Sequence, residues 1–200
     1  MKLILASASP RRAEILTAAG FPFEVVPTTT DESRRPGEAV ETMVERLAEA
    51  KARAAASLRS ASEAAIIIGA DTVVELDGDF LGKPGTPEAA RAMLARLSGR
   101  SHRVLTGLAL VRVMPSGAPP LTMHSELEGT RVWFAPLTAE EIRDYVATRE
   151  PLDKAGAYAV QGFGGRFVER IEGCYFNVVG LPLARLYRML RDLGWRPPKS

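Results

Sequence analysis

Cysteine and histidine are scarce in this chain of 200 residues, and their scarcity excludes several kinds of site. Cys174 is the only cysteine, so no internal disulfide can form and no zinc cluster is expected. A catalytic thiol requires a histidine partner, but both histidines of the chain, His102 and His124, lie in stretches with the pattern of a strand. We therefore expect a buried, inert cysteine and two structural histidines.

Long apolar segments and blocks of basic residues are also missing. The opening apolar run is too short for a signal peptide, and no stretch approaches the roughly 18 apolar residues of a membrane span. The formal net charge is only +2, and the 26 basic residues are spread along the chain, with no block that would track a nucleic-acid backbone. We expect a soluble cytoplasmic protein that binds a small anionic ligand, with no nucleic-acid polymer and no membrane as partner.

Several common catalytic signatures are absent as well. The sequence contains no Ser-His-Asp set, no Rossmann glycine fingerprint and no Gly-x-x-x-x-Gly-Lys-Ser/Thr phosphate loop. Serine-hydrolase, dinucleotide-dependent and P-loop chemistry are therefore not expected.

The patterns that are present favour a single α/β domain over residues 1–195, followed by a tail at 196–200. Hydrophobic residues make up 46% of the chain, enough for a sizeable core, and helical and strand patterns alternate throughout. Strands are predicted at 3–6, 21–26, 65–75, 102–113 and 121–134, with two short strands within 162–172. Helices are predicted at 10–19, 38–57, 86–98, 138–148 and 182–193, with a loop at 177–182.

The first predicted strand leads directly into a predicted anion site with the sequence Ser7-Ala8-Ser9-Pro10-Arg11-Arg12. Ser9 suits a helix N-cap and Pro10 suits the first helical position. The helix start would gather free N–H groups, hydroxyls and guanidiniums, all of which bind phosphate. An ordinary capped helix with solvated arginines is the alternative on this motif alone.

Carboxylates follow the apolar run at 65–70 and the second predicted strand. Asp71 comes after the apolar run at 65–70, and ligands of α/β sheets bind beyond the carboxyl ends of strands. Asp31 and Glu32 lie in the polar loop after the second strand. A turn aspartate and a solvated acidic loop are the alternatives.

Isolated cations and a loop rich in small residues complete the pattern. Lys51 lies near the end of a long predicted helix, where it can also simply favour the helix dipole, and Lys83 is held between Gly82 and Pro84. The segment 153–162 carries charge, a phenol and an amide among small residues that would allow close approach to a ligand, although such loops are more often only turns. Carboxylates and cations around a phosphate site predict metal-assisted hydrolysis of a phosphate ester or anhydride.

Five motifs, in order and at matching spacing over about residues 2–193, resemble those of the Maf family of nucleoside triphosphate pyrophosphatases. They are Ser7-Ala-Ser-Pro-Arg-Arg12, Gly69-Ala-Asp-Thr-Val-Val74, Gly82-Lys-Pro84, Asp153-Lys-Ala-Gly-Ala-Tyr158 with Gln161, and Asn177-Val-Val-Gly-Leu-Pro182. The resemblance implies an elongated, two-lobed α/β fold with a mixed sheet, similar to inosine triphosphate pyrophosphatases, and a deep central cleft. It also implies hydrolysis of a nucleoside triphosphate to the monophosphate and pyrophosphate, the reaction of a nucleoside triphosphate diphosphatase.

The same resemblance implies the roles of individual residues. Asp71 would be the catalytic carboxylate, commonly assigned as proton acceptor, and Glu32, Lys51 and Lys83 would join it at the metal and the triphosphate. A divalent cation, Mg²⁺ or Mn²⁺, is expected on Asp71 and Glu32. The residues expected to bind substrate or set specificity are Ser7, Arg11, Arg12, Thr72, Asp153, Lys154, Tyr158 and Gln161.

The resemblance also suggests which nucleotides are substrates and how the chain assembles. Arg12, Thr72 and Gln161 match the branch that prefers dTTP and UTP, which suggests house-cleaning of nucleotide pools and leaves modified pyrimidine triphosphates as candidate substrates. The alternatives are a 7-methyl-GTP pyrophosphatase and a nucleotide-binding regulator of cell division. A homodimer is expected by family analogy.

Overall fold

A seven-stranded mixed sheet forms the framework of the chain, as seen in a computed structural model that describes residues 1–58, 63–115 and 122–198. The strands are β1 (Lys2–Leu5), β2 (Phe23–Val25), β3 (Ala65–Leu76), β4 (Asp79–Leu81), β5 (Ser101–Val113), β6 (Thr122–Phe134) and β7 (Val168–Glu172). Their order is β2-β1-β3-β5-β6-β7, and β4 pairs with β3. The predicted α/β class with a mixed sheet is confirmed.

Six α-helices lie in the part of the chain that the structure describes. They are α1 (Pro10–Ala18), α2 (Val40–Ser57), α3 (Pro87–Leu97), α4 (Ala139–Ala147), α5 (Tyr175–Val179) and α6 (Leu183–Asp192). Short 3₁₀ helices occupy Glu150–Asp153, Ala155–Ala157 and Phe163–Phe167. Over the described ranges, none of the helices combines the length and the apolar character that crossing a membrane requires.

The chain divides into two compact units. Unit 1 comprises 1–71, 106–128 and 180–200, and unit 2 comprises 72–105 and 129–179. The single domain over 1–195, the elongated shape and the cleft stay predictions.

Parallel pairing in unit 1 places the end of β1 beside the part of β3 that leads to Asp71. β1 pairs in parallel with β3, with Ile4 opposite Ile67 and Leu5 opposite Ile68. Both strands are apolar and fully buried over these positions, as strands covered on both faces must be. β1 ends at Leu5, whereas β3 continues to Leu76, so Ser7 follows the end of β1 and Asp71 lies on β3 just past the last paired residues of the ladder.

Glycines let α2 approach the sheet of unit 1 closely. A Cβ at Gly69 would overlap the carbonyl oxygen of Ala48, and a Cβ at Gly107 would overlap the carbonyl oxygen of Val44. Lys51 lies on α2 beside Ala48, and Gly69 precedes Asp71 by two residues. The close approach therefore brings the lysine toward the aspartate.

Unit 2 has its own core, in which aromatic rings meet edge to face. Phe134 lies 4.7 Å from Tyr158 and Tyr145 lies 5.2 Å from Phe167 between ring centroids, geometries that favour aromatic pairs. The predicted start of α4 is confirmed, because Thr138 and Glu141 form a reciprocal capping box.

The structure also corrects three predictions. The segment 163–167 is a 3₁₀ helix, so only one strand, β7, lies within 162–172. The short strand β4 was not predicted. Helix α5 extends into the motif 177–182 as far as Val179, where a loop was predicted. The physical reason at 163–167 is that Glu150 binds the N–H groups of Phe163 and Gly164, which removes them from any strand ladder. Residues 102–113 and 122–134 are confirmed as strands, while 116–121 of their connection lie outside the described residues.

Candidate active site

Lys51 is bound by two carboxylates at the end of the buried run of β3. Its Nζ donates to Glu32 Oε1 and to Asp71 Oδ1, each at 2.6 Å. Lys51 and Asp71 are 9% and 7% exposed, whereas the Glu32 side chain is 57% exposed. The structure therefore brings three of the four predicted catalytic residues into contact, and their catalytic role stays a prediction.

Burial makes the partnership of Lys51 and Asp71 obligatory. Removing one partner of a buried ion pair leaves an uncompensated charge, which costs roughly 3–5 kcal/mol. The two carboxylates that meet at Lys51 bring oxygen donors together, and oxygen donors are the ligands that a hard divalent cation takes.

A second ion pair holds the loop that carries Glu32. Arg46 on α2 donates to both carboxylate oxygens of Glu38, at 2.6 and 2.8 Å, and to the carbonyl oxygen of Ser33 at 3.0 Å. Asp31 accepts bonds from the backbone N–H and the hydroxyl of Ser33. The residue that follows Glu32 is therefore bound both to Arg46 on α2 and to Asp31 in the same loop.

α1 begins at Pro10 as predicted, with Ser9 at the N-cap position, although the Ser9 side chain makes no capping bond. The backbone N–H of Ser9 donates to Ser7 Oγ at 3.2 Å. Arg11 is partly exposed at the first turn, where its guanidinium can reach an anion.

Arg12, in contrast to its neighbour, is buried and joins three segments of unit 1. Its Nη1 donates to Ser7 Oγ at 3.0 Å and to the carbonyl oxygen of Ala70 at 2.8 Å, and its Nε donates to the carbonyl oxygen of Gly180 at 2.9 Å. Burial lowers the pKa of Arg12, while the neighbouring charge of Asp71 raises it. This arginine therefore braces the residue before Asp71.

Six of the predicted site residues belong to unit 2. Lys83 is exposed in a loop that hydrogen bonds hold to the segment 152–156, through Gly156 N to Gly82 O at 3.2 Å and Gly85 N to Leu152 O at 3.2 Å. Lys154 forms an ion pair with Asp153. The backbone thus brings the loop of Lys83 to the segment of these two residues.

The other three predicted site residues of unit 2 differ in how far they are exposed to solvent. Thr72 is partly buried on β3, and Gln161 is exposed. Tyr158 is 6% exposed, its hydroxyl lies 2.9 Å from His102 Nε2, and its ring stacks edge to face on His102 and Phe134. The contacts of Tyr158 are those of a core residue, and its role as a substrate contact stays a prediction.

The oxygen donors of the cluster fit a divalent cation that also binds substrate. Among the described residues, no group of three or more histidine, cysteine, aspartate and glutamate side chains is arranged to hold a metal ion by itself. Magnesium is commonly held by one or two carboxylates, with water and substrate phosphates as its other ligands. Asp71 and Glu32 match that donor set.

Sequence reasoning missed Arg46, Tyr145 and Glu150, which hold the loops of Glu32 and Gln161. Each acts on backbone groups that are distant in sequence or in another element. Glycines at 162 and 164 were the available signal, since a loop packed against a carboxylate and a phenol has no room for side chains.

Two of the solved structures that resemble this chain match nearly its whole length. One is the Ham1 protein of Staphylococcus aureus, with a TM-score of 0.43 and 14% identity over 96% of this chain and 100% of that chain. The other is a nucleoside-triphosphatase, dITP/XTP pyrophosphatase, of Mycobacterium abscessus, with a TM-score of 0.39 and 16% identity over 97% of each chain.

Sequence relatives are far closer. Among the matching proteins named dTTP/UTP pyrophosphatase, that of Carboxydothermus hydrogenoformans is 48% identical over 98% of this chain and 100% of its own length. That of Symbiobacterium thermophilum is 50% identical over 97% of this chain and 95% of its own length. That of Moorella thermoacetica is 51% identical over 96% of this chain and 95% of its own length. The sequence model of the Maf-like proteins matches residues 2–193. The chain therefore belongs to the Maf-like protein family.

Proposed function

We propose that this chain is a nucleoside triphosphate pyrophosphatase that hydrolyses dTTP and UTP to the monophosphate and pyrophosphate. The observation that carries the proposal is the Lys51 ammonium held between Glu32 and Asp71, 2.6 Å from each, at the end of the buried run of β3. The names of relatives 48–51% identical over nearly their full lengths support the same substrates.

A Mg²⁺ or Mn²⁺ ion is part of the proposal, and Asp71 and Glu32 would hold it. When bound, such an ion polarises phosphate oxygens and lowers the pKa of a bound water. These residues suit it because both are carboxylates and one is largely exposed, so that waters and phosphate oxygens can complete the set of ligands.

The chain's own groups supply the remaining chemistry. Asp71 Oδ1 accepts from Lys51, so we assign the other oxygen, Oδ2, to the proton of the attacking water. Lys51, Lys83 and Arg11 would take up the charge that develops on the departing pyrophosphate. Ser7, Arg11 and Arg12 are assigned to the phosphates.

Base recognition is assigned to Gln161, with Thr72 and Arg12 as further specificity residues and Asp153, Lys154 and Tyr158 as substrate contacts. A glutamine amide offers a donor and an acceptor, which is what the imide edge of uracil or thymine requires. A site that pairs with this edge disfavours cytosine, because its own polar groups would be left unpaired.

The location and the assembly belong to the same proposal. We assign the reaction to the cytoplasm, where it would act on the nucleotide pools, with modified pyrimidine triphosphates as further substrates. A homodimer is the proposed assembly, and light scattering after size-exclusion chromatography tests it.

Pyrophosphate release from dTTP, UTP, CTP, GTP and 7-methyl-GTP tests the function, with Mg²⁺, Mn²⁺ and EDTA in parallel. Asp71→Asn should lose orders of magnitude in kcat with a modest loss of nucleotide binding, whereas Asp192→Asn, on the exposed end of α6, should match wild type. Metal-dependent release confined to dTTP and UTP supports the proposal.

The other outcomes separate the alternatives. Activity on 7-methyl-GTP alone would overturn the substrate and keep the chemistry. Nucleotide binding without release of pyrophosphate from any of the five would favour a regulator of cell division. Near wild-type turnover in Asp71→Asn would remove Asp71 from the catalytic role.

A further inference from the structure

We propose that Tyr145 and Glu150 form a clamp on the backbone at both sides of Gln161 and thereby set the selectivity among pyrimidine bases. The inference rests on the proposed function, since it concerns how the base of that substrate is read. Neither residue is predicted from the sequence as part of a site, and both act through Gln161, so they are positioning residues.

The phenol of Tyr145 holds the backbone before Gln161. Tyr145 is fully buried, and its hydroxyl accepts from the N–H of Ala159 at 3.2 Å while donating to Glu150 Oε1 at 2.8 Å. Burial and the bond to Glu150 raise the pKa of Tyr145, so the phenol keeps the proton that this second bond requires.

The carboxylate of Glu150 holds the backbone after Gln161. Its Oε2 accepts from the N–H of Phe163 at 3.0 Å and its Oε1 accepts from the N–H of Gly164 at 3.0 Å. Burial opposes the charge, but these two N–H groups and the Tyr145 hydroxyl outweigh burial and lower the pKa of Glu150. The carboxylate therefore stays ionised and keeps all three bonds at neutral pH.

Two glycines show how closely the clamp and the loop approach. A Cβ at Gly162 would lie 2.5 Å from Glu150 Oε2, and a Cβ at Gly164 would lie 2.5 Å from the Tyr145 hydroxyl. Gly162 also has φ +156°, near the edge of the region that favours glycine. Fixed points two residues before and two residues after Gln161 leave its backbone little freedom, while its side chain is exposed.

A fixed backbone matters for base selectivity because a paired hydrogen bond to the base is sensitive to displacement. A loop free to move about 1 Å can turn the amide of Gln161 to suit a different edge, so discrimination falls more than catalysis does. The loop's contribution is to the base alone, and the phosphates are held elsewhere in the proposed function.

The test uses Tyr145→Phe, which removes only the hydroxyl, and Glu150→Gln, which keeps the shape and loses the charge. The matched control is Tyr175→Phe, an exposed tyrosine 42% accessible to solvent. Backbone hydrogen exchange of the peptide covering 159–165 should be about tenfold faster in both clamp variants and unchanged in the control.

Kinetics supply the readout that general structural damage would not give. We expect the ratio of kcat/KM for UTP over CTP to fall about tenfold, with KM for UTP rising more than kcat falls. Pyrophosphate has no base, so its inhibition constant should be the same in the variants as in wild type. The rates are measured from the formation of the monophosphate, followed by chromatography. Thermal unfolding checks that each variant folds.

An active wild type whose clamp variants keep the UTP to CTP ratio would overturn the inference and leave the proposed function standing. A loss of affinity for pyrophosphate equal to that for UTP would also overturn it, because the effect would then not be on the base. A wild type that releases no pyrophosphate from any nucleotide would overturn the proposed function and the selectivity claim together.

Discussion

Arg12 Nη1 donates to the carbonyl oxygen of Ala70 at 2.8 Å, and Ala70 is the residue directly before Asp71. The same guanidinium binds Ser7 Oγ and the carbonyl oxygen of Gly180. A side chain that belongs by sequence to a phosphate motif therefore also fixes the backbone of the candidate catalytic carboxylate. The positive charge of Arg12 suits the binding of phosphate, whereas its forked guanidinium allows several backbone and side-chain oxygens to be bound at once.

Arg12→Lys separates these uses, because lysine keeps the charge and loses the fork. We expect the free energy of unfolding to fall by about 2 kcal/mol, since buried carbonyl groups lose their donors. We also expect kcat to fall at least about tenfold as Asp71 loses its support. Urea unfolding and steady-state kinetics measure the two effects, and the exposed Arg53→Lys on α2 is the control that should change neither.

Lys51→Met tests whether the lysine and a divalent cation use the same carboxylates. Without the ammonium, Asp71 and Glu32 repel each other, and a cation relieves that repulsion. Calorimetric titration with Mn²⁺ in the absence of nucleotide should therefore show tighter binding than wild type, while kcat falls because the leaving pyrophosphate loses a cation. Weaker Mn²⁺ binding in the variant would contradict the assignment of these carboxylates to the metal.

Much of unit 1 could be predicted because its signals are local. The apolar run at 65–70 predicts a buried strand that leads into Asp71, although β3 continues past Asp71 to Leu76. The Ser-Pro pair at 9 and 10 predicts the start of α1. Helical spacing from Val40 to Leu47 predicts the buried face of α2. In each case neighbours in sequence decide the structure.

The remaining features depend on partners far away in sequence. The acceptors of Arg12 include Ala70 and Gly180, 58 and 168 residues away. The motif predicts a phosphate-binding arginine, with a solvated one as the alternative, and does not indicate that its guanidinium is buried among carbonyl groups. The 3₁₀ helix at 163–167 depends on Glu150. Periodicity over a few residues carries no information about such contacts.

Gly69→Ala should weaken both the fold and the candidate site. The added Cβ would overlap the carbonyl oxygen of Ala48, so α2 must shift away from β3 and carry Lys51 with it. We expect the free energy of unfolding to fall by about 1–3 kcal/mol, the usual cost of overpacking, and kcat to fall in parallel. Gly129→Ala is the matched control, since its Cβ would meet Leu105 Cδ2 at 3.4 Å, at the edge of ordinary contact.

His102 makes the stability of the chain depend on pH in a window where carboxylates contribute little. The ring is 3% exposed, stacks on Phe134 and Tyr158, and burial lowers its pKa from 6.5 to about 4. Between these two values the unfolded chain binds a proton that the folded chain does not. Stability is therefore fully present above pH 6.5 and is lost as the pH falls toward 4.

The free energy of unfolding, measured with urea, should be about 2 kcal/mol lower at pH 5.0 than at pH 7.5. His102→Phe keeps an aromatic ring in the same place and removes the titrating group, so it should abolish most of that difference even if it changes stability at pH 7.5. His124→Gln, on β6 with a side chain 41% exposed, should retain the wild-type difference. A wild-type chain equally stable at both pH values would mean that the ring gains a proton without leaving the core, and burial would then not control its charge.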